Sequence, residues 1–210
     1  MHDINEKKLF IFDWDGTLST STLIVAGSRF FRKSYKPHYI EKMYNTYKTK
    51  GSKSISIELK QDRSKFFAIL YDFYARFYMP RSKKNTVEIL KALRKKNKIV
   101  ALFSDSRSYR LMSEVRALNM SKYFDFMLSA SSVGMYKPDP TGILFIIDKY
   151  GVSKNNVVYV GDTVSDIMAS RFAGVSSCIV ADGLESYERI KKAKPDYLFK
   201  TTTELYDAIQ

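Results

Sequence analysis

Short runs of apolar residues recur along the chain, and most of them end in a polar residue. The first run covers residues 8–12 and is followed at once by Asp13. Strands that are buried on both faces of a parallel sheet have this nearly continuous apolar character. The pattern predicts strands over residues 8–12, 99–103, 124–128, 157–160, 177–180 and 197–199.

Segments with helical periodicity lie between these strands. Gly151 and Gly174 follow two of them, at the position where a helix commonly ends in a left-handed residue. The alternation of strands and helices predicts an α/β fold, a doubly wound parallel sheet with helices on both faces. The predicted helices cover residues 86–96, 109–119, 141–150, 165–173 and 186–192.

The alternation fails between residues 19 and 82, where no convincing strand occurs. Helical patterns cover residues 23–35, 39–48 and 57–78, and Pro80 ends the last of them. We therefore predict two structural units. Residues 1–18 and 83–210 form the α/β core, and residues 19–82 form a helical cap domain inserted into it.

The composition is typical of a folded protein with an excess of positive charge. The 210 residues are 45% hydrophobic, and 35 Lys+Arg against 22 Asp+Glu give a net charge of +13. Residues 18–82 hold 13 of these basic residues and only 4 of the acidic ones. A region of this kind beside a site would attract anionic substrates. Because it has no block of consecutive basic residues, a nucleic-acid partner is possible but not favoured.

The single cysteine and the lengths of the apolar runs limit where the protein can act. Cys178 excludes an internal disulfide and fits a reducing compartment. The apolar runs are far shorter than the ~18 residues of a membrane span, and the N-terminus does not resemble a signal peptide. We expect a soluble, cytoplasmic protein with no membrane partner. Cys178 and Trp14 are both predicted to lie in the core rather than to take part in chemistry.

Polar residues that could take part in catalysis or metal binding follow the predicted strands. In a doubly wound sheet the carboxyl ends of the strands form the site. Several carboxylates in one crevice would repel each other unless a cation lay among them, and a hard ion such as Mg²⁺ prefers oxygen ligands. Any one of these residues alone would more often be a helix cap. The set consists of Asp13, Asp15, Ser104, Lys137, Asp162 and Asp166.

These residues fall in four motifs that resemble those of the haloacid dehalogenase superfamily. The sequence FDWDGTL over residues 12–18 is similar to its DxDGT signature. Ser104 after an apolar strand, Lys137 followed by Pro138, and GDTVSD over residues 161–166 are similar to the other three, in the same order. The match covers roughly residues 8–182, and the insert resembles the helical C1 cap of the phosphoglycolate phosphatase and β-phosphoglucomutase branch.

The resemblance implies a role for each motif residue. Asp13 would be the nucleophile, Asp15 the general acid and base, and Lys137 the catalytic cation. The substrate phosphate would be bound by Gly16, Ser104, Asp105 and Lys137. The Mg²⁺ ligands would be Asp13, Asp15 through its backbone carbonyl, Asp162, and Asp166 through water unless it instead orients Lys137.

Asp105 departs from the pattern of many relatives, which have Asn at this position. Its negative charge near the phosphate leaves two further alternatives open. The side chain could point away from the phosphate, or it could pair with Arg107 or Arg110.

The resemblance predicts a Mg²⁺-dependent phosphatase that acts on a small anionic phosphomonoester through an aspartyl-phosphate. Dehalogenases lack a carboxylate at the position of Asp15, because a halide leaves without a proton, so Asp15 argues for phosphoryl transfer. Two alternatives stay open, a phosphomutase of the β-phosphoglucomutase type and a basic nucleic-acid-binding protein built on this core. Contacts to a second anionic group of the substrate are predicted for Arg29, Arg32, Lys33, Lys36 and Arg63 in the cap.

Overall fold

The structure is a computed structural model that describes residues 3–20 and 81–210. A parallel sheet of six strands lies at its centre, in the order β5-β4-β1-β6-β7-β8. These strands are β1 (Leu9–Phe12), β4 (Ile99–Ser104), β5 (Phe126–Ser129), β6 (Val157–Gly161), β7 (Ser176–Val180) and β8 (Tyr197–Phe199). A separate antiparallel pair joins β2 (Ser19–Thr20) to β3 (Arg81–Ser82).

Helices cover both faces of the sheet. They are α1 (Thr86–Lys95), α2 (Ser108–Ala117), α3 (Ala130–Val133), α4 (Thr141–Tyr150), α5 (Val164–Ala173), α6 (Tyr187–Lys192) and α7 (Thr202–Ile209). The alternation of side chains along each strand decides which face a residue joins. Phe10 and Phe12 of β1 belong to one core cluster, with side chains of α1, α2 and α7. Leu9 and Ile11 belong to a second cluster, with side chains of α4 and α5.

The predicted doubly wound α/β core is therefore confirmed, and so are the packing roles of two residues. Trp14 and Cys178 are fully buried in the first cluster. Gly151 and Gly174 end α4 and α5 with φ angles of 60° and 75°. None of the helices in the described part of the chain is long and apolar enough to cross a membrane.

Four short elements depart from the prediction. The pairs of residues in β2 and β3 lie at the two ends of the predicted insert, where no strand was expected. Helices α3 and α7 were not predicted either, and only for α3 does length explain the miss, because four residues give little helical periodicity. The predicted cap over residues 19–82 falls mostly on residues 21–80, which lie outside the described residues.

Candidate active site

Three neighbouring strands end at one edge of the sheet, and each delivers a side chain there. Strand β1 lies between β4 and β6. Asp13 follows β1 and donates its backbone N–H to the Val160 carbonyl, at 2.8 Å, which continues the ladder by one residue. Asp162 follows β6, and Ser104 is the last residue of β4. The order of the strands thus brings together residues that are far apart in the sequence.

Lys137 occupies the centre of this cluster. Its Nζ lies 2.8 Å from Asp13 Oδ1 and 2.7 Å from Asp166 Oδ1. Nζ also lies 5.5 Å from the centroid of the Tyr159 ring. Lys137, Asp13 and Asp166 are all buried. A buried ammonium group needs such partners, because an isolated charge in a protein interior is very costly.

Burial and mutual repulsion shift the pKa values of the site. Burial raises the pKa of the Asp13 carboxyl well above its usual range, and the charge of Lys137 only partly offsets this effect. Burial acts to lower the pKa of Lys137, but Asp13 and Asp166 outweigh it and raise that pKa well above its usual range. Burial and the charge of Asp166 raise the pKa of Asp162 to about 7. Full ionisation of Asp13 and Asp162 is therefore costly, even with Lys137 close by.

Asp162 and Asp166 are held rigidly by bonds to neighbouring groups. Asp162 Oδ1 accepts from the Thr17 hydroxyl at 3.1 Å, and its Oδ2 accepts from the Leu184 amide at 2.6 Å. Asp166 Oδ2 accepts from the amide and hydroxyl of Thr163 at 2.9 and 2.7 Å. The bond from the Thr163 amide and the reciprocal bond from the Asp166 amide to the Thr163 hydroxyl form a capping box at the start of α5. Asp166 therefore caps a helix with one oxygen and faces Lys137 with the other.

The carboxylates of Asp13, Asp162 and Asp166 could hold a metal ion. One oxygen from each lies within 4.8 Å of the other two. Hard divalent cations such as Mg²⁺ take oxygen ligands of this type, so the donor set fits the predicted ion. The carboxylate of Asp15 lies outside this group of three. That Asp15 is a metal ligand through its backbone carbonyl stays a prediction.

Glycines allow the backbone to approach these carboxylates closely. A Cβ atom on Gly16 or on Gly183 would lie 2.2 Å from Asp162 Oδ2. A Cβ on Gly161 would lie 2.5 Å from the carboxyl carbon of Asp166. Any larger residue at these positions would displace a carboxylate from the cluster.

Asp15 points into a second group of polar side chains. Its Oδ1 accepts from Arg110 Nη2 at 2.5 Å, and its Oδ2 accepts from the Ser106 hydroxyl at 2.5 Å. Arg110 also donates from Nε to Glu114 Oε1 at 2.8 Å. The other oxygen of Glu114 accepts from Trp14 Nε1 at 2.6 Å.

The predicted phosphate-binding residues differ in how they fit that role. Ser104 is buried at the end of β4, and its Oγ accepts from the Ser106 amide at 3.2 Å. Asp105 Oδ1 accepts from the Lys137 amide at 3.0 Å, so it supports the loop that bears the lysine. The amide of Gly16 donates to the Ser19 carbonyl at 2.9 Å, which closes a turn. The amide of Gly16 is therefore engaged within the turn, and the part of Gly16 in binding the phosphate stays a prediction.

Sequence reasoning missed several residues of the site. Ser106 and Glu114 were not singled out, and Arg110 was considered only as a partner of Asp105. The four-residue spacings of Ser106, Arg110 and Glu114 are compatible with one helical face, which is a usable but weak signal. Lys83 was missed too. It donates to the Gly16 carbonyl at 2.7 Å and pairs with Asp182.

The chain is similar to known proteins over most of its length. Residues 10–180 match the family described as haloacid dehalogenase-like hydrolase. A phosphoglycolate phosphatase of Vibrio parahaemolyticus is 27% identical, with 96% of each chain covered. A Clostridium perfringens protein described as a pyrophosphatase is 26% identical, with 85% of this chain and 73% of that protein covered. A solved Bacteroides fragilis structure, described as a haloacid dehalogenase-like hydrolase, has a TM-score of 0.72 and 26% identity, with 95% of this chain and 99% of that chain covered.

Proposed function

The chain belongs to the haloacid dehalogenase-like hydrolase family, and we propose that it is a phosphatase that hydrolyses a small phosphomonoester through an aspartyl-phosphate on Asp13. One observation carries the proposal. Lys137 Nζ lies within 2.8 Å of Asp13 and 2.7 Å of Asp166, in a buried cluster that also contains Asp162. This arrangement combines a carboxylate nucleophile with the positive charge that a phosphoryl group requires.

In the first step an oxygen of Asp13 attacks phosphorus, and the bond from phosphorus to the ester oxygen breaks. Lys137 offsets the negative charge that gathers on the nucleophile and the phosphoryl oxygens. The Ser104 hydroxyl, at the end of β4, donates a hydrogen bond to the phosphoryl group. Asp15 gives a proton to the departing alkoxide, so that the alcohol leaves neutral.

In the second step a water molecule attacks the phosphorus of the aspartyl-phosphate. Asp15, now a carboxylate, takes a proton from that water, and the bond between phosphorus and the Asp13 oxygen breaks. Inorganic phosphate leaves, and Asp13 and Asp15 return to their starting states. The two steps together consume one water and release one alcohol and one phosphate.

A divalent cation completes the charge balance of the site. Asp13, Asp162 and Asp166 would hold it, and Mg²⁺ is the ion that we propose because its preferred ligands are oxygens. When bound, the cation supplies positive charge that reduces repulsion between the carboxylates and an anionic substrate. The raised pKa of Asp162 agrees with this assignment, because burial and the nearby Asp166 make its ionised form costly, and a bound cation would offset that cost.

The substrate that we propose is a small phosphorylated anion. The relatives named above are described as acting on phosphoglycolate and on pyrophosphate, both of which are small and highly charged. The positive charge over residues 18–82 would attract such molecules.

The proposal is tested by phosphate release from a panel that contains phosphoglycolate, sugar phosphates, nucleotides and pyrophosphate. We expect Mg²⁺-dependent turnover of at least one phosphomonoester, and loss of turnover in excess chelator. Asp13→Asn removes the nucleophilic oxygen and should lower kcat by more than about 1,000-fold while the protein stays folded. Undiminished phosphate release by this variant would contradict the assignment.

The same panel separates the two alternatives. A phosphomutase would convert a sugar phosphate into its isomer without net phosphate release. A nucleic-acid-binding protein would show no turnover and an affinity for DNA or RNA that falls steeply with salt.

A further inference from the structure

A chain of buried polar side chains leads from Asp15 into helix α2. Arg110 contacts three side chains at once, Asp15 at 2.5 Å, Ser106 at 3.2 Å and Glu114 at 2.8 Å. Ser106, Arg110 and Glu114 are themselves buried. Hydrogen bonds between a guanidinium and carboxylates are among the stronger ones in proteins, and Arg110 makes such bonds to both Asp15 and Glu114, so the guanidinium has a fixed place.

The polar network beyond Arg110 leads back to the loop that follows β1. Glu114 lies one helical turn after Arg110 and binds its Nε, and Trp14 Nε1 donates to the second oxygen of Glu114 at 2.6 Å. Trp14 stands between Asp13 and Asp15 in the sequence and is fully buried. The network is therefore a closed ring that runs from Asp15 through Arg110 and Glu114 to Trp14 and back along the backbone.

We propose that Arg110 is a positioning residue for Asp15, an inference that rests on the proposed phosphatase function. The guanidinium fixes Asp15 Oδ1 and thereby sets the plane of the carboxyl group. Asp15 Oδ2 is then the oxygen that gives a proton to the leaving group and takes one from water. Such a device matters because proton transfer depends steeply on the position and angle of the donor.

The contacts of Ser106 agree with these separate roles of Asp15 Oδ1 and Oδ2. Its Oγ accepts from Arg110 Nη1 at 3.2 Å and donates to Asp15 Oδ2. A protonated Oδ2 still has a lone pair, so it can keep accepting from the Ser106 hydroxyl while its proton faces the leaving group. Arg110 has only donors, and it can bind Oδ1 in either protonation state. The ring can therefore hold Asp15 in place before and after the proton moves.

The proposal predicts a selective effect on the leaving group. A nitrophenolate leaves without a proton, whereas the alkoxide of benzyl alcohol needs one. A misplaced Asp15 would therefore slow phosphoryl transfer from benzyl phosphate far more than transfer from para-nitrophenyl phosphate. General damage to the fold would slow both substrates by the same factor.

The test compares kcat/KM for para-nitrophenyl, phenyl and benzyl phosphate in Mg²⁺. The variant is Arg110→Met combined with Glu114→Gln, so that Asp15 loses its guanidinium partner but no buried charge is left unpaired at position 114. We expect kcat/KM to fall about 100-fold for benzyl phosphate and less than about threefold for para-nitrophenyl phosphate. An equal loss for all three substrates would overturn the proposal.

Two further variants keep the test decisive. Arg116→Met, an exposed position on the same helix, should leave all three values unchanged. If the double variant does not fold, Arg110→Lys decides, since it keeps the buried positive charge but lacks the planar guanidinium that fixes Asp15 Oδ1. A selective loss for benzyl phosphate supports the proposal, and an unchanged ratio between the substrates contradicts it. If the wild-type protein hydrolyses none of the three and none of the wider panel, the proposed function itself has failed, and this inference fails with it.

Discussion

At the scale of single residues, each charged side chain of the site serves more than one neighbour. Asp166 caps helix α5 through Thr163 and also binds Lys137. The ordinary interpretation of such an aspartate as a helix cap is therefore correct but incomplete. Burial and the charge of Asp166 raise the pKa of Asp162 to about 7. Its titration gives the site a measurable pH dependence.

We expect the metal-free protein to lose stability as the pH rises from about 4 to above 7. The pKa of Asp162 is raised in the folded state, so the folded protein binds more protons than the unfolded chain across this range. Asp162→Asn removes this contribution, and in chelator at pH 8 it should be more stable than the wild type by a few kcal/mol. The measurement is urea unfolding at several pH values, with Asp148→Asn, an exposed position, as the control.

In Mg²⁺ at pH 8, the wild type should instead be more stable than Asp162→Asn. The ion binds the ionised carboxylates, so it should stabilise the wild type more at pH 8 than at pH 5 and should have little effect on Asp162→Asn. If Asp162→Asn keeps the pH dependence of the wild type, Asp162 is not the group responsible.

At the scale of elements, the turn after β1 holds the site together. Gly16 has a φ of 83°, accepts from Lys83 through its carbonyl and leaves no room for a Cβ atom beside Asp162. Gly134, which ends α3, has a similar φ of 71°, but nothing lies within 4 Å of the position of its Cβ. Substitution of Gly134 therefore measures the cost of backbone strain alone, whereas substitution of Gly16 adds a clash with Asp162 to the same strain.

The expected result is that Gly16→Ala loses activity and Gly134→Ala does not. Both variants should lose about 1–2 kcal/mol of stability from the left-handed backbone. Gly16→Ala should lose a further ~1–3 kcal/mol from overpacking against Asp162, together with its affinity for Mg²⁺. Denaturant unfolding and a Mg²⁺ titration measure these effects. Equal losses in the two variants would show that the contact with Asp162 is unimportant.

The long elements of the core could be predicted from the sequence because their apolar pattern is strong. Strand β1 and helix α4 are found where the pattern indicated. The two-residue strands β2 and β3 could not be predicted, because their pairing depends on contact between residues about 60 positions apart.

At the scale of the whole molecule, the sheet is what gathers the site. Asp13, Ser104 and Asp162 could be predicted because the carboxyl ends of parallel strands share one edge. Arg110 could not be assigned to Asp15, since 95 residues separate them and no sequence pattern pairs the two. Strands β2 and β3 also place residues 20 and 81 side by side. The described residues on either side of positions 21–80 thus meet in one antiparallel pair, and the division into core and cap stays a prediction.

The central claim is that Asp13 receives the phosphoryl group, and reductive trapping tests it most directly. Borohydride added during turnover reduces an aspartyl-phosphate to homoserine, and peptide mass spectrometry identifies the residue. We expect homoserine at position 13, dependent on both substrate and Mg²⁺, and none at positions 15 or 162. Turnover that proceeds with residue 13 unmodified, or with the label on another aspartate, would contradict the account.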